Sequence, residues 1–333
     1  MSSIMKQKIT FRIILLLLIA FTLLSLFLTP LIGSTSLNFV ELFQSSSARI
    51  ILLDIRLPRI MFTFLVGFSL ALVGAIFQAL LRNDLATPYT LGVSSGGALG
   101  AVIAIKSGLS LSILGFSNTV IFSMLGSVLT VSIIYFIART RSGIAPVTLI
   151  LTGVTISLLF SSFILFIHYL ADFTETYRMI RWLMGGLQVT RWHYSLSLFP
   201  FCVLAFAYFY SQAGALNIIT AGHETALSKG VDVFRLQKYA FFGSSILIGI
   251  VVSFAGPIGF IGLIVPHLMR LVVGPDHKKL LISAPLFGGA FLVWCDTLAR
   301  TIIAPAELPV GVITAMLGGP FFIWLLIKRQ VKH

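Results

Sequence analysis

Two short motifs in this sequence have residue types and spacing that do chemistry in other proteins. Gly92-Val93-Ser94-Ser95-Gly96 matches G-x-S-x-G, in which a serine on a strained strand-to-helix turn attacks an acyl carbonyl. That chemistry needs a strand before the turn and a histidine–acid pair, whereas here the motif opens an apolar run. Gly92, Gly96 and Gly100 recur every four residues, the small-xxx-small pattern that lets two helices approach closely, and packing is the preferred reading. His223-Glu224-Thr225-Ala226-Leu227 begins like H-E-x-x-H but lacks the second histidine, so a zinc site fails on ligand count. No G-x-x-x-x-G-K-[ST] occurs, so the chain has no P-loop to cradle ATP phosphates. Cys202 and Cys295 stand alone in apolar surroundings, which argues against a disulfide or a metal site. No cofactor is expected in this chain.

The elements that must position these residues follow from composition. Of 333 residues, 58% are hydrophobic and 10% charged, and the mean hydropathy is +1.04. A water-soluble domain is about 45–50% apolar and about 25% charged, so this balance excludes one. A net charge of +13 would suggest a nucleic-acid partner in a soluble protein. Here the basic residues sit in short blocks between apolar runs, which carry topology and not a polyanion groove. The first run, after Lys6, Lys8 and Arg12, is too long for a signal-peptide core and no A-x-A site follows, so a retained first span is expected.

Crossing about 30 Å of hydrocarbon takes about 20 helical residues. Ten candidate spans emerge: Phe11–Ile32, Ile60–Leu81, Tyr89–Ile105, Val120–Ala138, Val147–His168, Leu196–Tyr210, Ala240–Phe254, Ile258–Leu271, Leu280–Leu298 and Val310–Ile327. The expected fold class is all-α: a polytopic membrane protein with ten transmembrane helices, residues 1–333 forming one domain. The sixth to eighth spans are short, and the eighth is interrupted by Gly259, Gly262 and Pro266. With an even span count both termini share a side. Fifteen of the 23 basic residues, among them Arg141 and Lys332, then fall on that side. The other side holds Arg49, Arg56, Arg59, Lys106, Arg178, Arg181, Arg191 and Arg300. The excess predicts cytoplasmic termini.

The span centres lack charge. Asp54, Asp84, Asp172, Glu175, Asp276, Asp296 and Glu307 all fall at span ends or in connections. An ion-coupled carrier keeps an acidic residue near midplane, so any transport here draws its energy from another subunit. The second span carries Gly67, Ala71, Gly74, Ala75 and Gln78, small residues at helical spacing. After it, Arg82–Pro88 forms a compact inner turn in which Pro88 starts the next helix and Asn83 or Asp84 caps. Ser211–Lys238 is the one sizeable polar segment, and its scattered Ala226, Leu227, Val231, Val233 and Phe234 suit short helices at the membrane surface. The outer arginines either snorkel or present a basic surface to an acidic partner.

Arg56-Leu-Pro-Arg59, Gly67 to Gln78, Arg82-Asn83-x-Leu85-Ala86-x-Pro88 and Leu91-Gly-Val-Ser-Ser-Gly96 follow one another in order. After them come Gly256-Pro-Ile-Gly-Phe-Ile-Gly-Leu263, Pro266-His267-x-x-Arg270, Asp296-x-x-x-Arg300, Glu307-Leu-Pro-Val-Gly311 and Gly318-Gly-Pro-Phe-Phe322. From about Arg56 to Lys328 the chain resembles FecCD-type permeases, the membrane subunits of type II ABC importers for iron–siderophores, haem and vitamin B12. The resemblance implies ten helices per subunit, cytoplasmic termini in the cytoplasmic (inner) membrane, and a pair of permease subunits forming a homodimer or close heterodimer, of which the homodimer is the favoured reading. It also implies two ATPase subunits, which bind ATP and Mg, and an extracytoplasmic substrate-binding protein. By resemblance the segment 211–238 couples to the ATPases through Gly222, Glu224, Ala226, Gly230 and Val231. Arg56, Arg59 and Arg300 match arginines that pair with glutamates on the binding protein. The fifth span, with Ser161 and Ser162, and Trp182–Leu187, with Met184, Gly185 and Gly186, would line or pack beside the pathway together with Gly92, Gly96 and Gly100. Three positions depart from the family pattern: Asp84 replaces a proline, Gly97 an alanine, and Lys229 a leucine.

The function expected is alternating access for an iron(III)–siderophore-type chelate, with corrinoid or haem as alternatives. Its rivals are an ion-coupled secondary carrier, disfavoured by the missing midplane acid, and an intramembrane enzyme, disfavoured because Ser94 lacks a paired histidine.

Overall fold

The structure is a computed structural model that describes residues 2–33, 46–89, 91–109, 112–113, 115–140, 143–187 and 191–330. Arg141 and Lys332 lie outside the described residues, as does Thr90 of the predicted third span. Thirteen helices are described in chain order: α1 (Ser2–Leu28), α2 (Ser46–Leu81, with a π-helical stretch over Ile51–Arg56), α3 (Val93–Ser107), α4 (Asn118–Ala138), α5 (Pro146–Tyr169), α6 (Phe173–Leu183), α7 (Trp192–Ser211), α8 (Ala213–Ala221), α9 (His223–Ser228), α10 (Val233–Ala255), α11 (Ile261–Val273), α12 (His277–Thr301) and α13 (Val310–Gln330). Two pairs of two-residue strands, 112–113 with 116–117 and 139–140 with 143–144, close the turns before α4 and α5. The chain is a multi-pass, all-α membrane protein.

Among the described residues, seven helices are long and apolar enough to span a bilayer; Val93–Ser107, Ile261–Val273 and the Val310–Trp324 stretch of α13 are apolar over fewer residues. Two of the three spans read as short are full-length helices. The α7 helix has 20 residues and α10 has 23, because each continues through polar residues that hydropathy discounts. The Asp232 carboxylate accepts the Arg235 amide and so starts α10 seven residues before the first predicted residue, Ala240. In the eighth segment Pro266 does not break the helix. Gly256–Phe260 precedes it as non-helical chain, and α11 runs through Pro266. Pro88 does not start a helix either: it lies in a turn, and α3 begins at Val93 behind Gly92, whose φ of 72° turns the chain.

The chain forms two compact units. One unit holds α1, α2 up to Ala75, α7 up to Phe206, and α11 to α13. Within it, α2, α11 and α12 meet at glycines. A Cβ on Gly67 would collide with the Gly288 carbonyl, and one on Gly74 with the Gly262 carbonyl. Trp294 donates its indole N–H to the Ser25 hydroxyl at 2.9 Å, and Phe21 stacks on Phe287, tying α1 to α12. The other unit holds the rest of α2 and α7, α3 to α6, and α8 to α10. Here the Gly92/Gly96/Gly100 face of α3 lies on the Phe122/Gly126/Thr130 face of α4 so closely that a Cβ on Gly96 or Gly126 would strike the other's carbonyl oxygen. Close approach of this kind replaces the hydrophobic drive that lipid removes. Two hydroxyls on that face find carbonyl partners: Thr130 donates to the Gly126 carbonyl one turn back, and Ser127 donates across to the Val93 carbonyl of α3.

Candidate functional site

Five charged side chains meet at one end of α2 and α12. The spacing Asp296-x-x-x-Arg300 puts both on one helical face, and Arg300 Nε lies 3.2 Å from Asp296 Oδ2. From α2, Arg59 grips the same carboxylate with two donors, Nε to Oδ2 at 3.0 Å and Nη2 to Oδ1 at 2.8 Å. Its third nitrogen, Nη1, reaches Glu307 Oε2 at 2.9 Å in the connection between α12 and α13. Arg56 donates to the Pro30 carbonyl at 2.7 Å, and Arg300 donates to the Ile32 carbonyl at 3.4 Å and to the Thr297 hydroxyl at 3.3 Å. These cations therefore sit on carbonyls just beyond the C-terminal end of α1, where positive charge is favoured. Gly33 makes room for this, since a Cβ there would lie 2.6 Å from Arg56 Nη2. Exposure divides the cluster. The Asp296 side chain is 2% exposed and that of Arg300 6%, while Arg59 keeps 12% and Glu307 34%.

The three arginines predicted for docking are thus brought together, and all three are engaged within the chain. Sequence reasoning missed the two carboxylates as their partners. The partnership spans sequence separations of 237 and 248 residues. The available signal was the span count itself, which places Arg59, Asp296 and Glu307 at the same side.

The predicted coupling residues lie on α9 and the turns that flank it, directly after the apolar helix α8. The α8 helix ends at Gly222, whose φ of 139° is open to few side chains, and α9 follows at once. It closes with the Val231 amide on the Ala226 carbonyl and the Gly230 amide on that of Leu227. This is a Schellman termination, and the φ of 75° at Gly230 is the left-handed conformation it demands. Ala226 is fully buried, Val231 half-buried, and Glu224 and Lys229 are exposed. The two glycines shape the segment, Ala226 anchors it, and Glu224 remains as the group open to contact.

The remaining predicted residues scatter. Ser161 and Ser162 lie on exposed positions of α5, and Ser162 donates back to the Leu158 carbonyl. Met184 is exposed at the end of α6. Gly185 follows with φ 70°, and the Gly186 amide donates to the Ala255 carbonyl at 2.8 Å, docking this corner on the end of α10. The α6 helix itself went unrecognised because it is amphipathic and short. Its signal was Asp172-x-x-Glu175, a capping box in which Asp172 accepts the Glu175 amide and Glu175 accepts that of Asp172. Lys106 of α3 adds a 2.8 Å ion pair to Glu175 and a bond to the Leu170 carbonyl. That Lys106 hydrogen bond, with the Asp172 amide behind it, holds the Glu175 carboxyl below its ordinary range.

Buried charge in the long apolar helices is thus paired, with Asp296 held between Arg59 and Arg300. Residues 16–328 match the FecCD transport family, and the chain belongs to it. It is the permease subunit of an ABC importer. It is 42% identical over 287 residues to the cobalamin import system permease protein BtuC of Halobacterium salinarum, covering 86% of this chain and 76% of that one. It is 38% identical over 309 residues to the hemin transport system permease protein HmuU of Yersinia pestis, covering 90% and 91%. Among solved structures, a metal-chelate-type ABC transporter in an inward-facing conformation superposes with a TM-score of 0.84 at 30% identity, covering 96% of this chain and 99% of that one.

Proposed function

We propose that the chain carries an iron(III)–siderophore-type chelate across the cytoplasmic membrane by alternating access, driven by separate ATPase subunits. The observation that carries this reading is where the acidic groups lie. Among the described residues, the one carboxylate buried in a spanning helix is Asp296, and both of its cationic partners come from the same end of the helices. No described acid stands unpaired at midplane to bind a driving ion, so the energy comes through a partner. Chelate transport is supported by the metal-chelate transporter of like fold, and corrinoid or haem cargo by the relatives above.

In this reading the three shorter apolar helices complete ten spans. At 15 residues α3 reaches about 22 Å, so it crosses only where protein or water surrounds its ends. Both termini are cytoplasmic, two permease subunits pair as a homodimer, and Gly222–Val231 meets the ATPase on that face. The Arg59 end faces outward, toward a substrate-binding protein. Residues 1–333 act as one permease domain with 211–238 as its coupling segment. Proteoliposomes containing the chain, an ATPase and a binding protein are expected to accumulate ferric chelate only with ATP on the ATPase side. Accumulation driven by a proton or sodium gradient without ATP would refute the reading.

A further inference from the structure

The five-charge cluster is unevenly built, and the unevenness separates its arginines. Arg56 and Arg300 are each 6% exposed and spend donors on the Pro30 and Ile32 carbonyls beyond α1. Pulling either outward would strip the end of α1 of its cations. Arg59 is different. Two of its nitrogens are committed to the buried Asp296, which fixes the guanidinium plane, while Nη1 points to the exposed side and meets Glu307. Glu307 belongs to no helix, and its side chain is the most exposed of the pairs in this cluster.

We propose that Arg59 alone of the three is handed to an acidic side chain of a docking partner, and that Glu307 is the internal placeholder which the incoming carboxylate displaces. This rests on the docking reading above and specifies its chemistry. The Asp296 bonds persist through the exchange, so the guanidinium stays aimed and only one ion pair is traded for another. Until a partner arrives, Glu307 keeps the end of the molecule closer to neutral: the five groups together carry three positive charges and two negative ones. A trade between two carboxylates of similar geometry gains little affinity by itself. Its consequence is selectivity for partners that present an acid at this spot.

The test uses the full chain in phosphatidylcholine nanodiscs and a fluorescent hexaglutamate peptide as probe, read by anisotropy. Glu307→Gln removes the competitor while keeping the side chain's size. The dissociation constant is expected to fall about 2- to 5-fold, the worth of one exposed ion pair, and the gain should fade in high salt. Arg59→Gln should weaken peptide binding and erase the effect of Glu307→Gln. Unchanged affinity in Glu307→Gln, with Arg59→Gln still weakening, would overturn the placeholder and leave docking through arginine intact. Loss of binding in Arg56→Lys or Arg300→Lys but not in Arg59→Gln would overturn the choice of Arg59. If none of the arginine substitutions altered peptide binding, the docking reading itself would fall.

Discussion

Arg82 shows how much one residue's backbone can reveal. It ends α2 with φ 48°, and the bonds from Asn83 N to the Gln78 carbonyl and from Arg82 N to that of Ala79 form the same termination that Gly230 makes for α9. Glycine is the usual occupant because a Cβ in the left-handed region costs about 1–2 kcal/mol. Arg82→Gly is therefore expected to raise stability by about 0.5–1 kcal/mol after allowing for the looser unfolded chain, read as a higher midpoint in a detergent unfolding titration. An unchanged or lower midpoint would mean that the arginine side chain repays the strain. That this position ends a helix was legible from the run of polar residues after Leu81. Its handedness was not, since arginine carries no such signal. The cap within the turn was read as Asn83 or Asp84. Of the two, Asn83 accepts the Leu85 amide at 2.9 Å and sets the turn.

Among the elements, the α6 corner offers the clearest lever. Its start depends on one carboxylate oxygen, since Glu175 Oε2 accepts both Lys106 Nζ and the Asp172 amide. Because the folded carboxyl titrates below its ordinary 4.5, its stabilising contribution is fully present above that value. It is lost as pH falls through the lower folded value. Amide exchange in α6 should therefore quicken selectively toward acid, while α12, 72% of whose most apolar window is buried, holds its protection. Asp172→Ala is expected to speed exchange in the first turn of α6 about fivefold at neutral pH, the usual worth of an N-cap. Equal protection in both proteins would mean that Met179, fully buried against Ala98, Val102 and Ile164, suffices to hold the helix. The long helices were legible because lipid demands uniform hydropathy over a fixed length. The α6 corner was hidden because an 11-residue amphipathic helix meets no such demand. The pairing of Arg59 with Asp296 and Glu307 was hidden for a different reason: contact between residues more than 230 apart depends on the packing of whole helices.

At the scale of the whole molecule, α5 poses the question of what surrounds it. Only 6% of its most apolar window is buried within the chain, and Leu151, Leu158, Leu165 and Phe166 are largely exposed. The same helix presents Thr155, Ser161 and Ser162 at exposed positions, and Thr155 and Ser162 satisfy their hydroxyls on the carbonyls one turn back. Self-satisfied hydroxyls tolerate lipid, a second subunit or water alike, so the sequence pattern of α5 does not choose among them. Water would choose the pathway. The natural cysteines, Cys202 and Cys295, are buried free thiols, so a water-soluble methanethiosulfonate reagent meets a quiet background. Ser162→Cys and Ser161→Cys, placed in the complete transporter, are expected to react with it, and faster while ATP is being turned over, if this part of α5 lines the route. Leu158→Cys, one turn earlier on the exposed surface, reports whether the reactive face is narrow. Uniformly slow labelling at all three positions, unchanged by ATP, would place α5 against lipid and move the pathway to other helices.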